Sequence, residues 1–232
     1  MEKSDNRGLK KNLRFAVLAS DVVLFSINEE SLCVRLISVN RPPYFVNKPG
    51  LPGGLIHPQE TAEKSTRRYL KEKTGISPQK AYMEQLYTFS AVDRDPRGRV
   101  VAVAYMALVP WNALSGSEKN KNEYSWWSMA DKTHALAYDH DKILELALNR
   151  LRSRIRYTTL ISKLMPEEFT LTELEKAYES ILKTDLDKRN FRKKISKLGI
   201  LKELPRKRAG GRSRPAKLYK FSKNKVSEVE VL

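Results

Sequence analysis

The feature that most constrains this chain is a spaced pattern of glycine, acidic, arginine and aliphatic residues at positions 53–76. From Gly54 the sequence runs G-LIHPQ-E-TAEKSTR-R-Y-L-K-E-K-T-G-I. The patterned positions are Gly54, Glu60, Arg68, Leu70, Glu72, Gly75 and Ile76, with Gly53 directly before them. Glycine lets a backbone approach a bound group closely, and carboxylates are the ligands that hard cations prefer. The pattern therefore favours a phosphate-binding site beside carboxylates of the kind that hold a hard cation.

The spacing resembles the Nudix box, G-x5-E-x7-R-E-U-x-E-E-x-G-U, in which U is aliphatic. Two glutamates of that box are replaced here, one by Tyr69 and one by Lys73. Positions 69, 72 and 73 lie on one side of a helix, where three glutamates would converge on Mg²⁺ or Mn²⁺. Lys73 instead places a positive charge where the cations bind. The resemblance implies a diphosphate-hydrolysing fold, and the two replacements predict lost or very weak hydrolysis, with no metal or other cofactor required.

Length and composition set broad limits. A chain of 232 residues predicts one large domain or two modest ones. The lone cysteine, Cys33, is expected to pack in a core within a reducing compartment. The polar N-terminus has no secretory pattern, and the longest apolar run, 100–111, is too short to span a bilayer. We therefore expect a cytoplasmic protein with no membrane partner.

The net charge of +17 is concentrated at the C-terminal end. Residues 1–150 hold 22 Lys and Arg against 17 acids, whereas residues 151–232 hold 22 against 10. Within 188–220 there are 14 basic residues and a single acid, Glu203. Such a block indicates a polyanion partner. The alternative is a disordered basic tail, but the apolar periodicity of the region disfavours it.

The first part of the chain alternates predicted strands and helices. We predict strands over 13–27, 32–39, 82–92 and 99–109. A helix is predicted from Pro58 to Thr74, where Gly75 stops it, after a Gly- and Pro-rich loop at 48–54. This alternation indicates an α/β layer fold, which agrees with the α/β/α sandwich that the Nudix resemblance implies.

The second part has the pattern of a winged helix-turn-helix. A helix is predicted from about Asp139 through Ile155, a capping box at Thr170–Glu173 starts another, and 184–199 forms the next. A short strand (200–204), a basic Gly-containing loop (205–217) and a second strand (218–221) would follow as a wing. The helix over 184–199 would then enter the major groove of double-stranded DNA, and the Gly210-Gly211 loop would lie along the backbone or in the minor groove. The candidate DNA-binding residues are Lys188, Arg189, Arg192, Lys193, Ser196, Arg206, Lys207, Arg208, Arg212 and Arg214.

A Nudix domain followed by a winged helix resembles the Nudix-related transcriptional regulators of NAD metabolism, the NrtR type. The resemblance implies a homodimeric repressor that binds a palindromic operator near NAD-biosynthesis genes and leaves it when ADP-ribose binds. The predicted organisation is a flexible N-terminus (1–12), a Nudix-like sensing domain (13–150), a linker helix (151–165), the winged helix (166–224) and a tail (225–232).

Glycines and cations around the motif are candidates for ligand contact, since glycine permits close approach and arginine forks onto phosphate oxygens. They are Arg41, Lys48, Gly53, Gly54, Arg68, Asp93, Arg94, Arg97 and Arg99. Arg68 has the alternative of a structural ion pair with Glu60 or Glu72. The other arginines have the alternative of plain surface charge. The three histidines show no metal-ligand spacing, so no metal site is predicted.

Two further functions stay open at this stage. One is an active ADP-ribose pyrophosphatase-like hydrolase whose basic tail only localises it on nucleic acid. The other is an RNA-associated module with neither switch nor catalysis, although the basic helix face lacks aromatic residues on which single-stranded bases stack.

Overall fold

The computed structural model describes residues 15–119, 126–129, 135–210 and 213–231. Its first part contains β1 (Val17–Asn28), β2 (Ser31–Arg35), β3 (Ile37–Arg41), β4 (Phe45–Gly50), β5 (Gly53–Leu55), α1 (Ala62–Thr74), β6 (Tyr82–Phe89), β7 (Val100–Leu108), β8 (Trp126–Ser128) and α2 (His140–Tyr157). Its second part contains α3 (Leu171–Leu182), α4 (Lys188–Lys197), β9 (Leu201–Gly210) and β10 (Ser213–Phe221).

A mixed sheet forms the centre of the first domain. Its strand order is β6-β7-β1-β2-β8, and β5 also pairs with β1. Strands β1 and β7 run parallel, whereas the other pairs in this sheet are antiparallel. Strands β3 and β4 form a separate hairpin. The antiparallel pairing of β5 with β1 places Gly53 opposite Asp21 and Gly54 opposite Ser20, so the glycine loop lies against the middle of β1.

Helices cover both faces of this sheet. Successive side chains of β1 point to opposite sides, so its apolar residues contribute to a core on each face. Val22 and Leu24 pack with Leu70 of α1 on one face. Val23 and Phe25 belong to the core on the other face, which also contains Ile143, Ala147 and Leu151 of α2. The predicted α/β/α sandwich is confirmed.

Several boundaries in this domain differ from the sequence-based expectation, and the predicted loop at 48–54 contains the end of β4 and the start of β5. The strand predicted over 32–39 is two strands, of which β2 joins the central sheet and β3 pairs with β4. Helix α1 begins at Ala62 rather than Pro58, because the Thr61 side chain accepts a hydrogen bond from the Lys64 amide and caps the helix there. It ends as predicted at Gly75, which takes the left-handed conformation with φ of 76°.

The second domain is a winged helix. Thr170 and Glu173 form the predicted capping box at the start of α3. Tyr178, Phe191 and Ile195 are buried between α3 and α4, and Phe169 pairs through its backbone with Tyr219 of β10. Helix α2 runs unbroken to Tyr157, and no helix of the described ranges is long and apolar enough to cross a membrane.

The strands of the wing are longer than the sequence suggested. The segment 205–217, predicted as a basic loop, is mostly β structure in which β9 and β10 pair from Leu201↔Phe221 to Gly210↔Ser213. The prediction failed because a run of Lys and Arg has no apolar alternation to mark a strand. After the wing, the chain runs along the end of α2, where the Val231 amide donates to the Arg156 carbonyl at 2.7 Å.

Candidate functional site

Arg68 of α1 is occupied by contacts within the motif. Its Nε donates to Glu60 Oε2 at 3.1 Å, and its Nη1 donates to Glu72 Oε2 at 3.2 Å. Its Nη2 reaches the Leu55 carbonyl at 3.3 Å. The hydrogen bonds from Arg68 to Glu60, with the His57 amide that also donates to Glu60, lower the pKa of the Glu60 carboxyl to about 2. Arg68 thus joins α1 to the glycine loop, and it makes the ion pairs with Glu60 and Glu72 that were one alternative for it.

Tyr69 fills the space next to the glycine loop. Its hydroxyl donates to the Leu55 carbonyl at 2.9 Å, and the Arg68 guanidinium lies 4.1 Å from its ring centre. A Cβ atom on Gly54 would lie 2.5 Å from Tyr69 Cζ, so only glycine fits beneath this ring.

The residues around Tyr69 do not fit a Mg²⁺ or Mn²⁺ site. The carboxylates of Glu60 and Glu72 are both bonded to Arg68, and the exposed Lys73 lines the adjacent cleft. In the part of the chain that the structure describes, no group of three His, Cys, Asp or Glu side chains is placed to hold a metal ion.

A cleft of about 470 Å³ opens beside the glycine loop. Its exposed lining includes Arg41, Lys73 and Arg97, and its buried lining includes Asp21 and His140. Five of the nine predicted ligand-binding residues line it, namely Arg41, Gly53, Gly54, Arg94 and Arg97.

The other four predicted ligand-binding residues are not part of the cleft lining. Lys48 lies 5.8 Å from the Phe45 ring centre, and Arg99 donates to the Ser90 and Ala91 carbonyls. The Arg68 guanidinium lies 4.1 Å from the Tyr69 ring centre, and Asp93 is exposed on the turn before Arg94. The structure therefore brings five of the nine predicted residues together around the cleft, whereas these four lie outside its lining.

A buried charge network forms the inner wall of the cleft. Arg94 donates to both oxygens of Asp139, from Nε at 3.0 Å and from Nη2 at 2.7 Å, and it lies 3.4 Å from Asp21 Oδ2. Burial raises the pKa of Asp21 and lowers that of His140. His140 Nδ1 accepts the Leu51 amide at 2.9 Å, so the proton of the neutral ring is on Nε2, which lies 3.7 Å from Asp21.

Several lining residues were missed by the sequence reasoning. Asp21, Asp95, Tyr138 and His140 all line the cleft. Asp21 carried a usable signal, because it is a lone acid within the apolar run at 13–27. Buried charges of that kind are rare unless they are paired. The sequence around Tyr138 carried no such signal, since its position in the cleft depends on the fold alone.

The basic face of α4 has the orientation that its periodicity predicted. Phe191 and Ile195 are buried, with 4% and 1% of their surface exposed. The predicted DNA-binding residues of this helix are exposed, namely Lys188, Arg189, Arg192, Lys193 and Ser196. Asp187 caps the helix by accepting the Asn190 amide at 2.8 Å.

The wing arginines are held by acids of the same domain. Arg206 donates to Glu168, and Arg208 donates to Glu173 and to the Glu168 carbonyl. Lys207 is exposed between them. Arg212 and the side chain of Arg214, both predicted to contact DNA, lie outside the described residues.

The first domain is a Nudix-type sandwich with a cleft, and the carboxylates of its motif are bonded to Arg68. The second domain is a winged helix with a basic face on α4. Together they define a two-domain class of protein. Residues 17–147 match the family model of the NUDIX domain, and residues 161–221 match that of the NrtR DNA-binding winged helix domain.

Similar proteins agree with this assignment. The chain is 35% identical to the ADPR responsive transcriptional repressor NtrR of Acinetobacter baylyi, over 89% of this chain and 82% of that protein. It is similar to Shewanella oneidensis NrtR complexed with a 27mer DNA, with a TM-score of 0.77, 34% identity and coverage of 88% of this chain and 93% of that chain. It is also similar to the NUDIX domain of Shewanella oneidensis NrtR complexed with ADP ribose, with a TM-score of 0.53, 34% identity and coverage of 64% and 94%. The chain belongs to the NrtR family.

Proposed function

We propose that this protein is a DNA-binding transcriptional repressor of NAD biosynthesis and salvage genes. In this proposal its Nudix domain senses ADP-ribose, and the protein releases its operator when that nucleotide binds. The observation that carries the proposal is one chain with two unlike sites: a cleft suited to a diphosphate but not to its metal, and an exposed basic helix. The proposed repressor would act on a bacterial chromosome, which lies in the cytosol.

The cleft suits an anionic nucleotide. The Gly53–Gly54 backbone allows a diphosphate to approach, and the exposed Arg41, Lys73 and Arg97 supply positive charge. Tyr138 adds an aromatic surface. The name of the Acinetobacter relative and the ADP ribose complex of the Shewanella NUDIX domain make ADP-ribose the first ligand to test.

Hydrolysis is not part of the proposed function. Lys73 opposes a divalent cation, and Glu60 and Glu72 are already bonded to Arg68. We expect no release of AMP or ribose 5-phosphate from ADP-ribose with Mg²⁺ or Mn²⁺. Steady product release that Glu72→Gln abolishes would instead make the protein a hydrolase with a basic nucleic-acid-binding domain.

Two copies of the chain would bind a palindromic operator, because a two-fold dimer presents its recognition helices to matching half-sites. Exposed apolar side chains near the start of β1 support a dimer. Val17 and Leu55 are exposed to 47% and 45%, and their side chains point to the same face of the sheet because Leu55 pairs with Ala19, two residues after Val17. Contiguous apolar surface of this kind marks an interaction site.

The test measures the affinity for a duplex with and without ADP-ribose at fixed salt. The duplex is first selected by the wild-type protein from a randomised pool. We expect ADP-ribose to weaken DNA binding and DNA to weaken ADP-ribose binding by the same factor. Equal DNA affinity in both conditions would remove the sensor half of the proposal. A preference for single-stranded RNA over every duplex would remove the repressor half.

Substitutions in α4 separate the two sites. We expect Arg192→Ala and Lys193→Ala each to weaken binding to the selected duplex, because both residues are exposed on the proposed recognition face. Their affinity for ADP-ribose should stay at the wild-type value, because the cleft lies in the other domain. Unchanged DNA affinity in both variants would show that α4 is not the recognition helix.

A further inference from the structure

Glu175 is a buried carboxylate on the helix that precedes the recognition helix. It lies on α3 with 1% of its surface exposed. Its Oε2 atom makes no hydrogen bond to any residue that the structure describes. A buried carboxylate is costly to desolvate unless it is paired and fully hydrogen-bonded. Neither the proposed ligand cleft nor the wing uses this residue.

The cations next to Glu175 belong to the recognition helix. Arg192 Nη2 lies 3.5 Å from Glu175 Oε2 and donates to Thr172 Oγ1 at 3.0 Å. Lys188 Nζ lies 3.8 Å from Glu175 Oε1. Arg192 nevertheless keeps 44% of its side chain exposed. One edge of its guanidinium is therefore held against α3, while the rest of the group remains available at the surface.

We propose that Glu175, with Thr172, is a specificity-determining positioning residue that holds the Arg192 guanidinium in one orientation for reading a base edge. This inference rests on the proposed function of α4 as the recognition helix. Arginine reads guanine through two parallel hydrogen bonds, and that geometry requires a guanidinium fixed in direction. A free arginine reaches phosphate oxygens as readily as bases, and phosphate contacts carry little sequence information.

The charge of Glu175 distinguishes a role in sequence discrimination from a general effect on DNA affinity. A carboxylate beneath the DNA-facing surface opposes the phosphates, so its removal should strengthen binding to arbitrary duplex. The same removal frees Arg192 and should weaken discrimination between sequences. An acid that served only to stabilise the fold would change the affinity for all duplexes by the same factor.

The experiment compares wild type, Glu175→Gln and Thr172→Val on the duplex selected by wild type and on a random duplex, at the same salt. We expect Glu175→Gln to reduce the ratio of the two affinities about tenfold, the scale of one well-placed arginine–base contact, while binding to the random duplex stays equal or rises. Thr172→Val should reduce the ratio in the same direction. Glu175→Asp, which retains the charge, should restore part of it.

Glu167→Gln is the control for the change of charge, since it removes one acid from the same domain at an exposed position. It should leave the affinity ratio at the wild-type value. An unchanged ratio in Glu175→Gln overturns the inference. If Glu175→Gln does not fold, as seen by circular dichroism, the Thr172→Val ratio decides in its place. A wild-type protein that selects no duplex at all would contradict the proposed function itself, and ADP-ribose affinity then reports whether the first domain is intact.

Discussion

At position 60 a carboxylate is held ionised by its neighbours, which makes part of the stability of the protein dependent on pH. The folded pKa of Glu60 is about 2, against an ordinary value of 4.5. A depressed folded pKa contributes stability above the ordinary value, and this contribution is lost as the pH falls towards the folded value.

We therefore expect Glu60→Gln to lower the Tm at pH 7, with a difference from wild type that shrinks as the pH falls from about 5 to about 3. Thermal unfolding followed by circular dichroism at several pH values measures this. Glu63→Gln, which removes an exposed acid paired with Arg67 on the same helix, should change the Tm less at every pH. A pH-independent effect of Glu60→Gln would contradict the assigned ion pair with Arg68.

Gly54 and Tyr69 are coupled by direct packing. An added Cβ at Gly54 meets the Tyr69 ring at 2.5 Å, so we expect Gly54→Ala to destabilise the fold by about 1–3 kcal/mol, the usual cost of overpacking. In a Tyr69→Ala background the same change should cost much less, because the ring is gone. Urea unfolding of the two single variants and the double variant gives the coupling free energy. Strictly additive effects would mean that Tyr69 moves aside freely.

Among the elements, the wing is held by ion pairs between its arginines and acids of the same domain. The Glu168 carboxylate accepts a hydrogen bond from the Arg206 guanidinium. Glu168→Gln should therefore free this cation for phosphate contact. We expect about two- to threefold tighter binding to selected and random duplexes alike, with a steeper salt dependence. Fluorescence anisotropy at several salt concentrations measures both. Glu167→Gln changes the same charge one residue away without releasing Arg206, and an equal gain in that control would reduce the effect to net charge.

The elements also show what could be predicted from the sequence. Both faces of α4 were predictable, because Phe191 and Ile195 recur at helical spacing between basic residues. The capping box at Thr170 and the stop at Gly75 were predictable because local chemistry dictates them. The basic strands of the wing were not, since their order comes from pairing across the hairpin and from residues such as Phe169 that pack against it.

The candidate cleft was harder to predict than the fold. The glycine loop and the 94–97 arginines were found because each belongs to a local pattern. Asp21 and Asp139 are 118 positions apart and meet only through Arg94. Spacing carries no information about such a contact, because the order of strands in the sheet creates it. Arg68 is similar, because the motif gave its position but only the structure shows its bonds to Glu60 and Glu72.

On the scale of the whole molecule, α2 connects the cleft to the DNA-binding domain. Asp139 at its start is bonded through both oxygens to Arg94, which lines the cleft. Near its end, Arg152 Nε donates to the Ile181 carbonyl of α3 at 2.8 Å, and Tyr178 of α3 donates to the Ile155 carbonyl. The helix has 18 residues and so spans about 27 Å. A ligand anion that attracts Arg94 would therefore compete with the anchor of a rigid helix that supports the recognition domain.

This connection predicts that Asp139→Asn uncouples the two sites. The change removes the charge that ties α2 to Arg94, while Asp21 still pairs with Arg94 inside the cleft. We expect ADP-ribose to bind within a few-fold of its wild-type affinity, but to weaken DNA binding by a much smaller factor than in wild type. Because coupling is reciprocal, DNA should also lose most of its effect on ADP-ribose binding. Titration calorimetry for the nucleotide and anisotropy for the duplex, each with and without the other ligand, give the two factors independently. The control is Glu145→Gln, which removes an exposed acid from the same helix and should keep the wild-type coupling.

Wild-type coupling in Asp139→Asn would mean that the signal reaches α3 by another route, such as the contact between Lys176 of α3 and Glu30 after β1.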